Sequence, residues 1–441
     1  MTTLLVSPDY ASHYFGLSAL GQEQRRRGGR VVVATGPALR QRVLADGFEH
    51  VELVLGPGNN DGLARPEDQP GEEADHLRAF FAATRRGMAA TLGFQVSARG
   101  HDMLWEPEQV TRRLEAILAT VAPRHVIVDQ LGFGATLALR ALEQPFVSFL
   151  PSHPCQLPRL GDPDGFPLRY PIELHPSEAE LAELRALCEG RARRFTESYN
   201  ASLAGLNPNA PPVADAVSAG SPLLTLVAYP HEMAPDAARP GVVLIGSVVR
   251  AEAGDAELSQ ALEERLPGLP TVYVSLGTFL SAREDVLATI AAALRMLDVN
   301  VVLSSGVADP DRLGTLPARW HVRPSLPQIA ALDASDAVIC HGGNNTVMEA
   351  LTVGLPVLAG PMSSDQFVAA EDLRRSGAGD AFAPNHADAS EIARRLTALL
   401  EGPARERAQA LGERLRARPG AKVAWELIDG LSYPSGPVAS R

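Results

Sequence analysis
Cys340-His341-Gly342-Gly343-Asn344-Asn345-Thr346-Val347-Met348-Glu349 places a histidine and two glycines ahead of a helix-compatible run. The preceding residues, Asp336 to Cys340, read as a short apolar strand, so His341-Gly342-Gly343 falls on a strand-to-helix turn. Such a turn suits an anion. Glycines let the backbone approach closely, the first N–H groups of the helix point at the anion, and the helix dipole adds partial positive charge. His341 supplies a further donor. A second chemistry is proton transfer. His13 follows the first strand in Ser7-Pro8-Asp9-Tyr10-Ala11-Ser12-His13, and an imidazole with an ordinary pKa of about 6.5 suits a general base. Asp129 ends a later strand at the same carboxyl edge of the sheet.

Several separated motifs accompany the turn: Val274-Ser275-Leu276-Gly277-Thr278, Pro327-Gln328, Gly354-Leu355-Pro356, Pro361 and Asp365-Gln366. On these residues the chain resembles the family 1 glycosyltransferases, the superfamily of plant UDP-dependent enzymes and bacterial macrolide and antibiotic glycosyltransferases. The resemblance implies the GT-B fold, two Rossmann-like parallel-sheet α/β domains facing a cleft. It implies that Ser275, Gly277, Thr278, His341, Gly343, Asn345 and Thr346 hold the donor diphosphate and Glu349 the ribose. Asp365 and Gln366 would hold the sugar hydroxyls. The family commonly has Trp two residues before the Pro-Gln pair, where this chain has Ser325-Leu326-Pro327-Gln328. Leu326 would then cover the base apolarly, beside Gln328. His13 and Asp129 match the positions of the family's dyad, in which the carboxylate orients the ring and stabilises the imidazolium.

The function so implied is an inverting, metal-independent transfer of a sugar from a UDP- or dTDP-sugar to a hydroxyl or similar nucleophile of a small, largely apolar acceptor such as a bacterial natural product. The nucleotide sugar is a co-substrate, and neither a cofactor nor a metal is expected. No paired carboxylates of the Asp-x-Asp kind lie near the phosphate turn, and no nucleophile elbow supports hydrolase chemistry. Two other readings stand beside it: a GT-B nucleotide-sugar epimerase, which needs acid and base carboxylates but no acceptor pocket, and a non-catalytic helper, which has no chemical need for these residues.

The elements that must position these groups follow from apolar runs. Leu4–Ser7, Arg30–Thr35, His125–Asp129 and Phe146–Leu150 read as strands, with helices at Leu17–Arg26 and Ala135–Glu143. Their near-continuous valine and isoleucine belong to a parallel sheet covered on both faces. Thr271–Ser275 restarts the alternation, followed by strands at Val299–Leu303, His321–Val322, Ala337–Cys340 and Leu355–Ala359. The expected organisation is an acceptor domain over 1–248, an acidic linker over 249–268, a nucleotide-sugar domain over 269–420, and a helix and tail over 421–441 that cross back to the first domain. Two long excursions, Gly56 to Gln109 and Pro151 to Pro176, lie beyond strand ends where open α/β sheets bind ligands. Phe81, Phe94 and Trp105 are therefore the expected acceptor contacts.

Composition excludes other classes. A chain of 441 residues suits two domains. Its net charge of −12, without a long basic run, speaks against nucleic acid. Cys155, Cys188 and Cys340 have neither disulfide-framework nor zinc spacing. No apolar run approaches a membrane span and the N-terminus lacks a signal-peptide pattern, so a cytoplasmic protein without stable membrane insertion is expected. A homodimer is left open.

Overall fold
The computed structural model describes residues 1–56, 71–98, 103–250, 252 and 254–431. Those residues form two sheets in which every strand pairing is parallel. The first contains β1 (Thr2–Val6), β2 (Arg30–Thr35), β3 (Glu49–Glu52), β4 (His125–Asp129), β5 (Val147–Leu150), β6 (Leu224–Val227) and β7 (Val242–Leu244), in the order β3-β2-β1-β4-β5-β6-β7. The second contains β8 (Thr271–Ser275), β9 (Asn300–Ser304), β10 (Trp320–Arg323), β11 (Ala337–Cys340), β12 (Val357–Ala359) and β13 (Gly379–Ala381), in the order β10-β9-β8-β11-β12-β13.

Each order reverses once, between β1 and β4 in the first sheet and between β8 and β11 in the second. At such a switch point the connections leave in opposite directions and open a crevice at the carboxyl ends. Register keeps those ends level. Val6 pairs with Ala34 on one side and Val128 on the other, and Ser275 pairs with Ser304 and Cys340. The central strands β1, β4, β8 and β11 are apolar without alternation because helices cover both of their faces, and Leu4, Leu5, Val126, Ile127, Val272 and Ile339 are fully buried.

Four strands lie outside those expected from the sequence: the buried β6 (Leu-Thr-Leu-Val) and the edge strands β3 (Glu-His-Val-Glu), β7 (Val-Val-Leu) and β13 (Gly-Asp-Ala). An edge is covered on fewer sides, so it tolerates polar residues and loses the hydrophobic signal. The acidic stretch expected to be an irregular linker contains the helix Ala256–Glu263, capped by the Asp255 carboxylate accepting from the Leu258 N–H at 3.0 Å. Leu258 anchors it in the second domain's core.

The helix Gly420–Asp429 packs against the helix Ala11–Arg26 of the first domain. Trp425 is 1% exposed, and its indole N–H donates to the Leu20 carbonyl at 2.9 Å. Residues 432–441 of the tail lie outside the described residues. The helices Gly71–Arg86 and Met88–Ala98 also reach across. Phe80 and Phe81 stack on Phe279 at 5.1 and 5.2 Å, and Met88, Leu92 and Val96 share a cluster with Phe367. Residues 57–70 and 99–102 of the first excursion lie outside the described residues.

Candidate active site
The first switch point brings His13 and Asp129 together across 116 residues of sequence: His13 Nδ1 lies 2.9 Å from Asp129 Oδ2. β4 carries the carboxylate to its buried end, where Oδ1 also accepts from the Leu131 N–H at 2.9 Å. The helix beginning at Ala11 carries the imidazole, which is one-fifth exposed. A carboxylate fixed on both oxygens cannot follow the ring, so it sets the ring's orientation. An Nδ1–H donating to Asp129 leaves proton acceptance to Nε2.

The second switch point builds the anion turn. His341 follows β11, Gly342 takes φ +81°, and Gly343 caps the helix Asn344–Val353. The imidazole packs on two glycines. A Cβ at Gly277, itself at φ +73°, would stand 2.9 Å from His341 Cε1, and one at Gly343 would also stand 2.9 Å from Cε1 and closer still to Nε2. A side chain at either position would have to displace the ring. Burial lowers the His341 pKa to about 4, with the Ser275 backbone opposing the shift, so at neutral pH the ring is a hydrogen-bond donor and not a cation. No hydrogen bond of full geometry reaches Nδ1 among the described residues. Ser275 Oγ accepts from the Gly277 N–H at 3.2 Å and holds that turn. The Thr278 side chain lies outside the described residues, although its backbone belongs to the short helix Gly277–Leu280.

Gln328, Thr346 and Glu349 converge from two helices. Gln328 Nε2 donates to Glu349 Oε2, and Gln328 Oε1 accepts from Thr346 Oγ1 at 3.5 Å and from the Tyr273 hydroxyl at 3.3 Å. Glu349 is 3% exposed, and its burial raises its pKa against the opposing charge of Arg250, whose Nε lies 3.6 Å from Oε1. Leu326 is buried in the adjoining core.

The remaining donor candidates meet the first domain. Asn345 Nδ2 donates to the Ser12 carbonyl at 3.0 Å, beside His13. Asp365 Oδ2 accepts from the His153 N–H at 3.0 Å. Gln366 is turned inward, its Oε1 accepting from the Met362 and Ser363 N–H groups at 3.1 Å each, so that oxygen holds its own turn.

A cavity of about 260 Å³ lies between the first switch point and the segment of the second domain around Asp365. His13 and Asp365 both line it, with Tyr10, Leu92, Val96, Met103, Phe133 and Phe166 among the walls. The expected acceptor contacts Phe81, Phe94 and Trp105 are not among the residues lining this cavity. Phe81 is 5% exposed and packs on Phe279, and Phe94 packs on Phe80 and His76 at 6.1 and 5.0 Å. Phe81 thus meets the second domain, and Phe94 packs against the same cluster. Three positions were missed by sequence reasoning. Arg250 and Tyr273 carry no motif. His153 lies three residues beyond the end of β5, so the strand-end rule that singles out His13 and Asp129 points to it as well.

Groups of three or more metal-ligating side chains are absent among the described residues, and no described helix is long and apolar enough to cross a membrane.

Residues 288–429 match the family model for the erythromycin biosynthesis protein CIII-like C-terminal domain. The demethyllactenocin mycarosyltransferase of Streptomyces fradiae is 32% identical over 173 residues, 38% of this chain and 37% of that protein. YdhE of Bacillus subtilis (strain 168), an uncharacterized UDP-glucosyltransferase, is 29% identical over 47% of this chain and 51% of its own length. The chain thus spans about half or less of the curated relatives it matches. Among solved structures, the spinosyn forosaminyltransferase SpnP superposes with a TM-score of 0.67 at 20% identity, covering 97% of this chain and 98% of its own. The glycosyltransferase VinC, in complex with dTDP, gives a TM-score of 0.63 at 19% identity, covering 97% and 99%.

Proposed function
We propose that this chain, whose fold is the GT-B fold of the family 1 glycosyltransferases, transfers a sugar from a UDP- or dTDP-sugar to a hydroxyl or similar nucleophile of a small, largely apolar acceptor. The observation that carries the reading is that one cavity is lined from both domains, by His13, which Asp129 orients, and by Asp365 of the domain that carries the His341-Gly342-Gly343 turn. In this scheme the acceptor hydroxyl gives its proton to His13 Nε2 as its oxygen attacks the anomeric carbon, and Asp129 stabilises the imidazolium. The bond to the diphosphate breaks on the opposite face, so the anomeric centre inverts. The diphosphate's negative charge is met by the N-terminus of the helix Asn344–Val353 and by the His341 donor, preorganised groups that stand in place of a divalent ion. Glu349 and Gln328 hold the ribose side, and the apolar walls of the cavity exclude water from the transfer.

The test is direct. Purified protein is incubated with UDP-glucose or dTDP-glucose and a panel of phenolic and polyketide alcohols, with EDTA present, and products are read by mass spectrometry and by the anomeric coupling constant. An inverted glycoside formed in EDTA supports the reading. Retention of configuration, or activity that EDTA abolishes and magnesium restores, refutes the mechanism.

A further inference from the structure
The loop from Pro151 to Pro176 leaves β5 of the first domain and docks on the helix Gln366–Ser376 of the second. Asp372, in the middle of that helix, is 2% exposed, and both of its oxygens are taken by the loop. Arg169 donates to it through Nε and, at 2.5 Å, through Nη2, while His153 Nε2 donates to Oδ2 at 2.9 Å. The tautomer is determined by the other ring nitrogen: His153 Nδ1 accepts from the Cys155 N–H at 3.0 Å, so the proton is on Nε2. His153 is itself 1% exposed, with the Tyr229 ring edge-on at 4.6 Å.

The same residue reaches a second carboxylate. Its backbone N–H donates to Asp365 Oδ2 at 3.0 Å, whereas Oδ1 of Asp365 accepts no hydrogen bond among the described residues. Asp365 and Asp372 are two helical turns apart on one helix, and His153 ties both. Burying charged groups in this way adds little to stability that apolar packing would not supply, because desolvation offsets the attraction. The arrangement does define geometry: the ring locks the loop, and the loop's N–H locks one oxygen of Asp365 on the cavity that His13 also lines.

We infer that His153 is a positioning residue for the donor sugar, acting through its Asp372 contact to hold Asp365 with Oδ1 directed to the sugar hydroxyls. The inference rests on the donor reading of Asp365 given above. His153→Ala keeps a backbone N–H at this position but releases the loop, and His153→Gln retains a side-chain donor for Asp372.

Two quantities separate positioning from folding. Calorimetric Kd values for UDP and dTDP read the nucleotide alone, and kcat/KM with UDP-glucose or dTDP-glucose reads the sugar. In His153→Ala, nucleotide Kd should stay within about twofold, while kcat/KM for the sugar donor falls roughly tenfold to hundredfold, as a misplaced positioning group does. His153→Gln should recover most of that loss. Asp365→Asn should lose a similar factor, and the double variant His153→Ala/Asp365→Asn should be no worse than the worse single variant, because the two act as one unit. Additive losses, a parallel loss of UDP and dTDP affinity in His153→Ala, or failure of His153→Gln to recover activity in a folded protein would each overturn the inference while leaving the glycosyltransferase reading intact. A parent protein that binds neither nucleotide would overturn both.

Discussion
The imidazole of His341 lies against the backbone of Gly343, so close that a Cβ there would stand 2.9 Å from Cε1. The histidine and glycine of the phosphate turn are thus one packed unit. Gly343→Ala must displace either the ring or the helix N-terminus. Overpacking of this kind costs about 1–3 kcal/mol, or roughly tenfold to a hundredfold in affinity if it falls on the nucleotide site. Calorimetry with UDP and dTDP should show that loss with only a small change in Tm. An unaltered Kd would mean that the turn does not hold the diphosphate.

The 2.9 Å contact between His13 and Asp129 predicts a pattern across three variants. His13→Ala should lower turnover on an alcohol acceptor by about a hundredfold to ten-thousandfold, the usual contribution of a positioned base, with nucleotide Kd unchanged. Asp129→Asn should lower it less, and the double variant should scarcely exceed His13→Ala. Near-parental turnover in His13→Ala would place the base elsewhere.

Burial holds His341 at about 4, below its ordinary 6.5. Between these values the unfolded chain binds a proton that the folded protein does not. The contribution of this group to stability is therefore complete above pH 6.5 and is lost as the pH falls toward 4. Urea unfolding of the nucleotide-free protein at several pH values across that window, beside His341→Gln, should show a shallower acid loss in the variant. Parallel curves would show that His341 does not titrate in the buried state.

Aromatic residues of the first domain should divide into two classes. Phe81→Ala removes a ring packed on Phe279 and should cost about 3–5 kcal/mol, read as a lower Tm. Its acceptor KM should move little. Phe166→Ala and Met103→Ala, on the cavity wall, should raise acceptor KM while the nucleotide Kd holds. If Phe81→Ala instead changed acceptor choice at constant Tm, the interface assignment would fail.

Much of this was legible in the chain itself. The apolar runs at β1, β2, β4, β8 and β11 mark central parallel strands because burial on both faces leaves no room for alternation. The positions of His13, Asp129 and His341 at strand ends follow from those runs, and glycine before a helix carries its own local meaning. These are short-range signals, written within a few residues of the group they position.

What only the tertiary structure decided depends on partners far apart in the chain. An aromatic run announces burial but not the surface it is buried against, so Phe81 and Phe94 could be placed only once Phe80, Phe279 and His76 stood beside them. The edge strands β3 and β13, Glu-His-Val-Glu and Gly-Asp-Ala, carry too few apolar residues to be visible in sequence. The tie between His153 and Asp372 spans 219 residues, and neither side chain has a local pattern that names the other. It exists because two separately folded sheets place their carboxyl ends against each other, and that apposition is a property of the packed domains and not of any one segment.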